Sequence, residues 1–113
     1  MIKIYHNPRC RKSREGLEFL KNSGKEFEII EYLKNPVSEK TLKDILKKLQ
    51  IAPIDLVRKN EAVWKSSFKK RDLSDDEIIK AMLEHPKLIE RPVVTNNYKA
   101  VIARPAHLIS QII

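Results

Sequence analysis

The sequence predicts an α/β domain: a four-stranded mixed sheet with a helical insertion between its two halves. Three observations predict it. The chain opens with a strand-like alternation, a loop holding its only cysteine, an apolar helical pattern and a second strand-like run. A long middle carries helix caps and no strand signal. A hairpin signal and a short apolar pattern close it.

Residues 1–5 read as the first strand, with Ile2 and Ile4 alternating with Lys3 and Tyr5. Leu17, Leu20 and Phe19 mark a helix that Ser13 is placed to cap and Gly24 to stop, at about Asn22. Residues 25–32 carry Phe27, Ile29 and Ile30 and read as the second strand, reached by a right-handed parallel crossover. Asn35-Pro36 breaks the pattern. Ser38 and Thr41 then open an amphipathic helix bearing Leu42, Ile45, Leu46 and Leu49. Pro53 starts a helical turn through Asp55, Leu56 and Val57 that leads to Arg58. Val63, Trp64 and Phe68 suggest a helical fragment with an aromatic anchor. Ser74 followed by Asp75, Asp76 and Glu77 is a helix start, serine at the cap and acids in the first turn. Ile78, Ile79, Met82 and Leu83 face its core side, and His85-Pro86 ends it. Val93 and Val94, a turn at Asn96-Asn97 and residues 99–103 form the hairpin. Arg104-Pro105 begins a last helix, with proline at its first position and Leu108, Ile109 and Ile112 directed to the core.

The order β-α-β, helices, β-β-α is the skeleton of a thioredoxin-like domain. A single domain over residues 1–113, with the insertion at roughly 38–87, is expected, and this length supports a core without staples. One cysteine cannot make an internal disulfide, which fits a reducing compartment. No basic-then-apolar leader opens the chain and no apolar run approaches a bilayer's thickness, so a soluble, cytoplasmic protein without membrane partners is expected. The net charge of +8 raises nucleic-acid binding. Many of the lysines, such as Lys40, Lys43, Lys47 and Lys48, sit on helical faces that water would solvate. Aromatic residues are few and do not interleave with the basic ones, which leaves base stacking little support.

Cys10 is the centre of interest. It lies between strand and helix, with Arg9, Arg11, Lys12 and Arg14 all within four residues. A helix N-terminus and nearby cations both favour thiolate over thiol, and thiolate is the reactive form. The competing reading, a small buried apolar residue, fits poorly with that crowd of charge.

The run Ile4-Tyr5-His6-Asn7-Pro8-Arg9-Cys10-Arg11-Lys12-Ser13-Arg14 resembles the active-site loop of the glutaredoxin-coupled arsenate reductases. The resemblance continues through Glu31-Tyr32-Leu33, Leu56-Val57-Arg58-Lys59-Asn60, His85-Pro86 to Val93-Val94, and Ala103-Arg104-Pro105. It covers essentially the whole chain, and in length the chain resembles the short branch of the family, which is related to Spx-type regulators. The resemblance implies that Cys10 attacks arsenate and releases water. It implies that glutathione, a co-substrate rather than a bound cofactor, then attacks the adduct so that arsenite leaves. Glutaredoxin would clear the mixed disulfide. It places oxyanion-binding roles at Arg58, Arg91 and Arg104, thiolate-supporting roles at His6, Ser13 and Arg14, and a cis peptide before Pro92.

The residue types suit that chemistry. Arsenate is an anion, and a thiolate attacking it adds negative charge. Arginine stays charged and offers a planar fork of donors. Three such groups would bind the anion more tightly as charge builds in the transition state. For each arginine the alternative is a surface charge or an ordinary ion pair. His6 either favours the thiolate through its imidazole or braces Asn7 and Pro8. Ser13 either donates to the sulfur or caps the helix. Arg14 lies one helical turn beyond Cys10. His85 and His107 show no spacing for metal or acid–base work and read as structural. Arg11 and Lys12 should lower the thiol pKa further. Two other readings belong beside the first: a glutathione-dependent thiol reductase of another substrate, and an Spx-like RNA polymerase-binding regulator lacking the C-x-x-C switch, because position 13 is serine.

Overall fold

Four strands form one mixed sheet: β1 (Ile2–Tyr5), β2 (Phe27–Ile30), β3 (Val93–Thr95) and β4 (Ala100–Ile102), in the order β2-β1-β3-β4. The computed structural model describes residues 1–113 and divides them into two units, Met1–Asn35 with Arg91–Ile113, and Pro36–Glu90. The first unit holds the sheet. β1 pairs parallel with β2, Ile4 opposite Ile29, and antiparallel with β3, Ile4 opposite Val94. β3 pairs antiparallel with β4, Val94 opposite Val101. The arrangement is thioredoxin-like.

The connection from β1 to β2 is helix α1 (Arg11–Ser23). Gly24 ends it in the left-handed region, φ 74°, where a residue without a side chain is least strained. Leu20 is buried with Ile4, Val94, Ala103 and Ile109, and Leu17, Phe19, Phe27 and Ile112 pack around them. Burying each such aliphatic side chain contributes about 1.5–3 kcal/mol. The central strands β1 and β3 carry the most buried residues of the sheet, including Ile4, Tyr5 and all of Val93–Thr95. Edge strand β2 exposes Glu28 and Ile29. In the hairpin turn, Asn96 Oδ1 accepts from the N–H groups of Tyr98 (2.7 Å) and Lys99 (2.6 Å).

The last element differs from expectation. Ala106–Gln111 is a 3-10 helix, and Pro105 stands at its N-cap rather than at its first helical position. Its bonds span three residues, Leu108 N–H to Pro105 O at 3.1 Å and Ile112 N–H to Ile109 O at 3.0 Å. A 3-10 run of six residues is longer than most, and nothing in the sequence pattern announces the tighter winding. It packs on α1. The Arg91–Pro92 peptide is cis, as the resemblance implies, and so is Arg104–Pro105.

The second unit is helical. Helix α2 (Glu39–Leu49) is capped by Ser38, whose side chain accepts from Thr41 N–H at 3.1 Å. The short α3 (Ala62–Ser67) buries Trp64, stacked on Phe68 at 5.7 Å between ring centroids. Helix α4 (Asp75–Glu84) begins with a full capping box between Ser74 and Glu77. Leu42, Ile45 and Leu46 of α2 and Ile78, Ile79, Ala81 and Met82 of α4 are buried, and the two helices pack together. The 3-10 turns Pro53–Leu56 and Pro86–Leu88 also pack on α4, and Val57 bridges to Ile89. No helix is long and apolar enough to cross a membrane.

Candidate active site

The loop between β1 and α1 is built by hydrogen bonds around Asn7. His6 N–H donates to Ile30 O at 2.8 Å, extending the β1–β2 pairing by one residue. Asn7 Oδ1 accepts from Arg9 N–H (3.0 Å) and Asn7 O from Cys10 N–H (3.0 Å). These bonds turn the chain sharply and deliver Cys10 to the N-cap position of α1, in an extended conformation with φ −95° and ψ 122°. Arg14 N–H to Cys10 O, 3.0 Å, opens the helical ladder.

Ser13 is therefore not the helix cap. It lies inside the first turn and is fully buried. Its hydroxyl oxygen accepts from Asn7 N–H at 2.9 Å and is 2.7 Å from His6 Nδ1. The sequence offered serine as a cap, but the helix starts three residues earlier, so the hydroxyl closes the loop and the backbone N–H is left to face the sulfur.

The half-buried Cys10 sulfur meets one opposing influence and several favourable ones. Burial, the largest single influence, pushes the thiol pKa up. Ser13 N–H, a hydrogen bond and charge from the Arg91 guanidinium, and Lys12 N–H together outweigh it, and the pKa lies below its ordinary value. The helix N-terminus thus supplies two donors and a residue distant in sequence supplies the third. Arg91 is only 9% exposed, so its charge acts with little screening by water.

Three of the cations near Cys10 in sequence are engaged elsewhere. Arg11 Nε and Lys12 Nζ lie 3.3 and 3.6 Å from the carboxylate of Glu15. Arg14 Nη1 donates to Pro8 O at 3.0 Å and braces the loop from an exposed position. His6 is buried, and burial, more than any other influence, holds its pKa below the ordinary value, against the raising effects of Glu31 and its bond to Ser13. The 2.7 Å contact between His6 Nδ1 and the Ser13 hydroxyl braces the loop.

Arg104 belongs to the same unit as Cys10 and Arg91. Its Nη1 donates to Arg91 O at 3.2 Å, tying the segment after β4 to the segment before β3. Arg58 belongs to the helical unit. Its N–H donates to Leu88 O, 2.6 Å, and its Nε pairs with Glu61 at 3.3 Å. His85 ends α4 and meets the edge of the Phe68 ring at 5.9 Å between centroids, a structural placement.

Two contributors escaped the sequence reading. Asn7 is the hub of the loop, and its signal was an asparagine before proline, a pair that favours side-chain-closed turns. Gly16 is the other. A Cβ there would come 2.8 Å from Pro92 Cγ, so the glycine lets α1 approach the segment bearing Arg91. Its signal was a glycine in a helix interior.

A buried guanidinium and two backbone donors around one sulfur are surroundings that favour its thiolate over its thiol. The chain is 44% identical over 114 residues to the uncharacterized protein YfgD of Escherichia coli K12, covering 99% of this chain and 96% of that one. It is 43% identical to an arsenate reductase of Haemophilus influenzae, covering 97% of each. The solved arsenate reductase from Vibrio cholerae superposes with a TM-score of 0.93 at 39% identity, over 99% of this chain and 97% of that one. The model of the ArsC family matches residues 5–112, nearly the full length. The chain belongs to the ArsC family.

Proposed function

We propose that this protein is a cytoplasmic, thiol-dependent arsenate reductase with Cys10 as nucleophile and no resident cofactor. The observation that carries the reading is the donor set on the Cys10 sulfur: the Ser13 and Lys12 N–H groups and the Arg91 guanidinium. The same donors that hold a thiolate can hold an incoming oxyanion.

In the first step the thiolate attacks arsenic. An S–As bond forms, an As–O bond breaks, and that oxygen leaves as water after taking up protons. Arg91 and Arg104 offset the charge that builds on the remaining oxygens. Arg58 enters as a third anion-binding group on the strength of the family resemblance. In the second step an outside thiol, glutathione, attacks the Cys10 sulfur. An S–S bond forms, the S–As bond breaks, and its electron pair leaves with arsenic, which departs as arsenite. A second thiol, from glutaredoxin, then reduces the mixed disulfide and restores Cys10. His6 and Ser13 support the thiolate by fixing the loop that presents it, and Arg14 braces that loop through Pro8.

The test is arsenate reduction coupled to glutathione and glutaredoxin, with Cys10→Ser alongside. Turnover by the wild type and none by the variant is expected. Equal activity in both would reject nucleophilic catalysis. Exchange of glutathione without arsenate turnover would make this a thiol reductase of another substrate.

A further inference from the structure

Strand β2 lies at one end of the strand order, so one of its sides has no neighbour in the sheet. The register fixes which backbone groups face that side. His6 N–H donates to Ile30 O at 2.8 Å, so Ile30 directs its backbone groups toward β1, and Glu28, two residues back, does the same. That direction alternates along a strand, so Phe27 and Ile29 turn their N–H and C=O groups to the open side. Ile29 is in register with the fully buried Ile4, yet it is itself 45% exposed.

An open edge of this kind pairs with another strand unless something blocks it, and charge is the usual block. Lys25 and Glu26 precede β2, Glu28 lies within it and Glu31 follows. These charges do not block every partner. Lys25 and Glu31 stand at equal distances on either side of Glu28, and so do Phe27 and Ile29. In an antiparallel pairing with a second copy, centred on Glu28, Lys25 faces Glu31 and Phe27 faces Ile29. Glu26 faces the uncharged Ile30. Phe27 and Ile29 then exchange both of their outward backbone bonds, and the exposed Ile29 side chain gains a phenylalanine beside it. Registers two residues to either side lose the Lys25–Glu31 pairs, and one of them sets Glu26 against Glu28. The single like-charge contact in the centred register is Glu28 with its own copy. Lys3 lies beside Glu28 in the β1–β2 register and offsets it.

We propose that this edge is an interface for a second copy of the chain. Two β2 strands pair antiparallel about Glu28 and join two four-stranded sheets into one. The same patch serves both copies, as a two-fold interface requires. One four-residue strand buries little area, so the dimer is weak and builds up only with concentration.

The test is sedimentation equilibrium of the wild type up to millimolar concentration, with amide hydrogen exchange followed over the same range. Monomer–dimer association is expected, and exchange should slow at Phe27 and Ile29 as concentration rises. Exchange at Glu28 and Ile30, which face β1, should not follow. Lys25→Glu and Glu31→Lys should each raise the dimer Kd by roughly tenfold, and the double variant should restore it. Glu28→Gln should lower Kd, a gain that a misfolded variant would not give. A wild type that stays monomeric throughout overturns the assignment. So does a dimer without slowed exchange at Phe27 and Ile29, a double variant as weak as the single ones, or a Glu28→Gln dimer no tighter than the wild type.

Discussion

The charge that matters most at Cys10 comes from Arg91, across the fold, and not from the arginines and lysine beside it in sequence. Local spacing shows which residues are near in the chain, but it does not show which way their side chains turn. Arg11 and Lys12 turn to Glu15 along the helix surface, as i,i+4 and i,i+3 partners do. Cys10 itself was legible, because a thiol between strand and helix has few bland explanations. Arg91→Lys keeps the charge and removes the planar fork. We expect arsenate turnover to fall by about 10²–10³-fold, the usual cost of one lost transition-state donor, with the melting temperature nearly unchanged. Parallel loss of both in kinetics and thermal melts would mark Arg91 as structural. His6 gives a second prediction. Its folded pKa is depressed by burial, so the unfolded chain takes up a proton first as pH falls. Its contribution to stability is present above the unfolded value of about 6.5 and is lost as pH drops below it. Urea midpoints measured from pH 8 to pH 5 should fall, and His6→Asn should flatten that slope. An unchanged slope in the variant would remove His6 as its source.

At the scale of elements, caps carried most of the legible signal. Ser38, Ser74 and Gly24 each mark a helix end that the structure contains. The start of α1 was misread because a serine at the third helical position looks the same in sequence as one at the cap. Gln50 ends α2 in the left-handed region, φ 56°, where the sequence has no glycine to announce it. Gly16 joins element packing to the site. It sits where α1 meets Pro92, next to Arg91. Gly16→Ala would gain roughly 1 kcal/mol in helix propensity if the position were open. The 2.8 Å approach to a ring carbon means it is not open, and overpacking costs typically about 1–3 kcal/mol. Net destabilisation in chemical denaturation is expected, together with a raised Cys10 pKa as the Arg91 segment is pushed away. A more stable variant with an unaltered thiol would show that this contact is not tight.

Over the whole molecule, the strand inventory was readable and the pairing less so. Alternation at Ile2 and Ile4, and valines beside an asparagine turn, identify strands, but the order β2-β1-β3-β4 depends on long-range contacts that the thioredoxin-like skeleton implied. The site has the same dependence. The first turn of α1 and the residue before Pro92 meet at one sulfur only when the chain is folded. An unfolded chain loses the aligned N–H groups and the buried guanidinium, and its thiol should return to the free value of about 8.5. The most direct measurement is the rate of iodoacetamide alkylation of Cys10 against pH, in native buffer and in denaturing urea. A native midpoint below the free value, rising to about 8.5 on unfolding, is expected. Coincident midpoints in the two conditions would contradict it, because the fold would then do nothing to hold the thiolate.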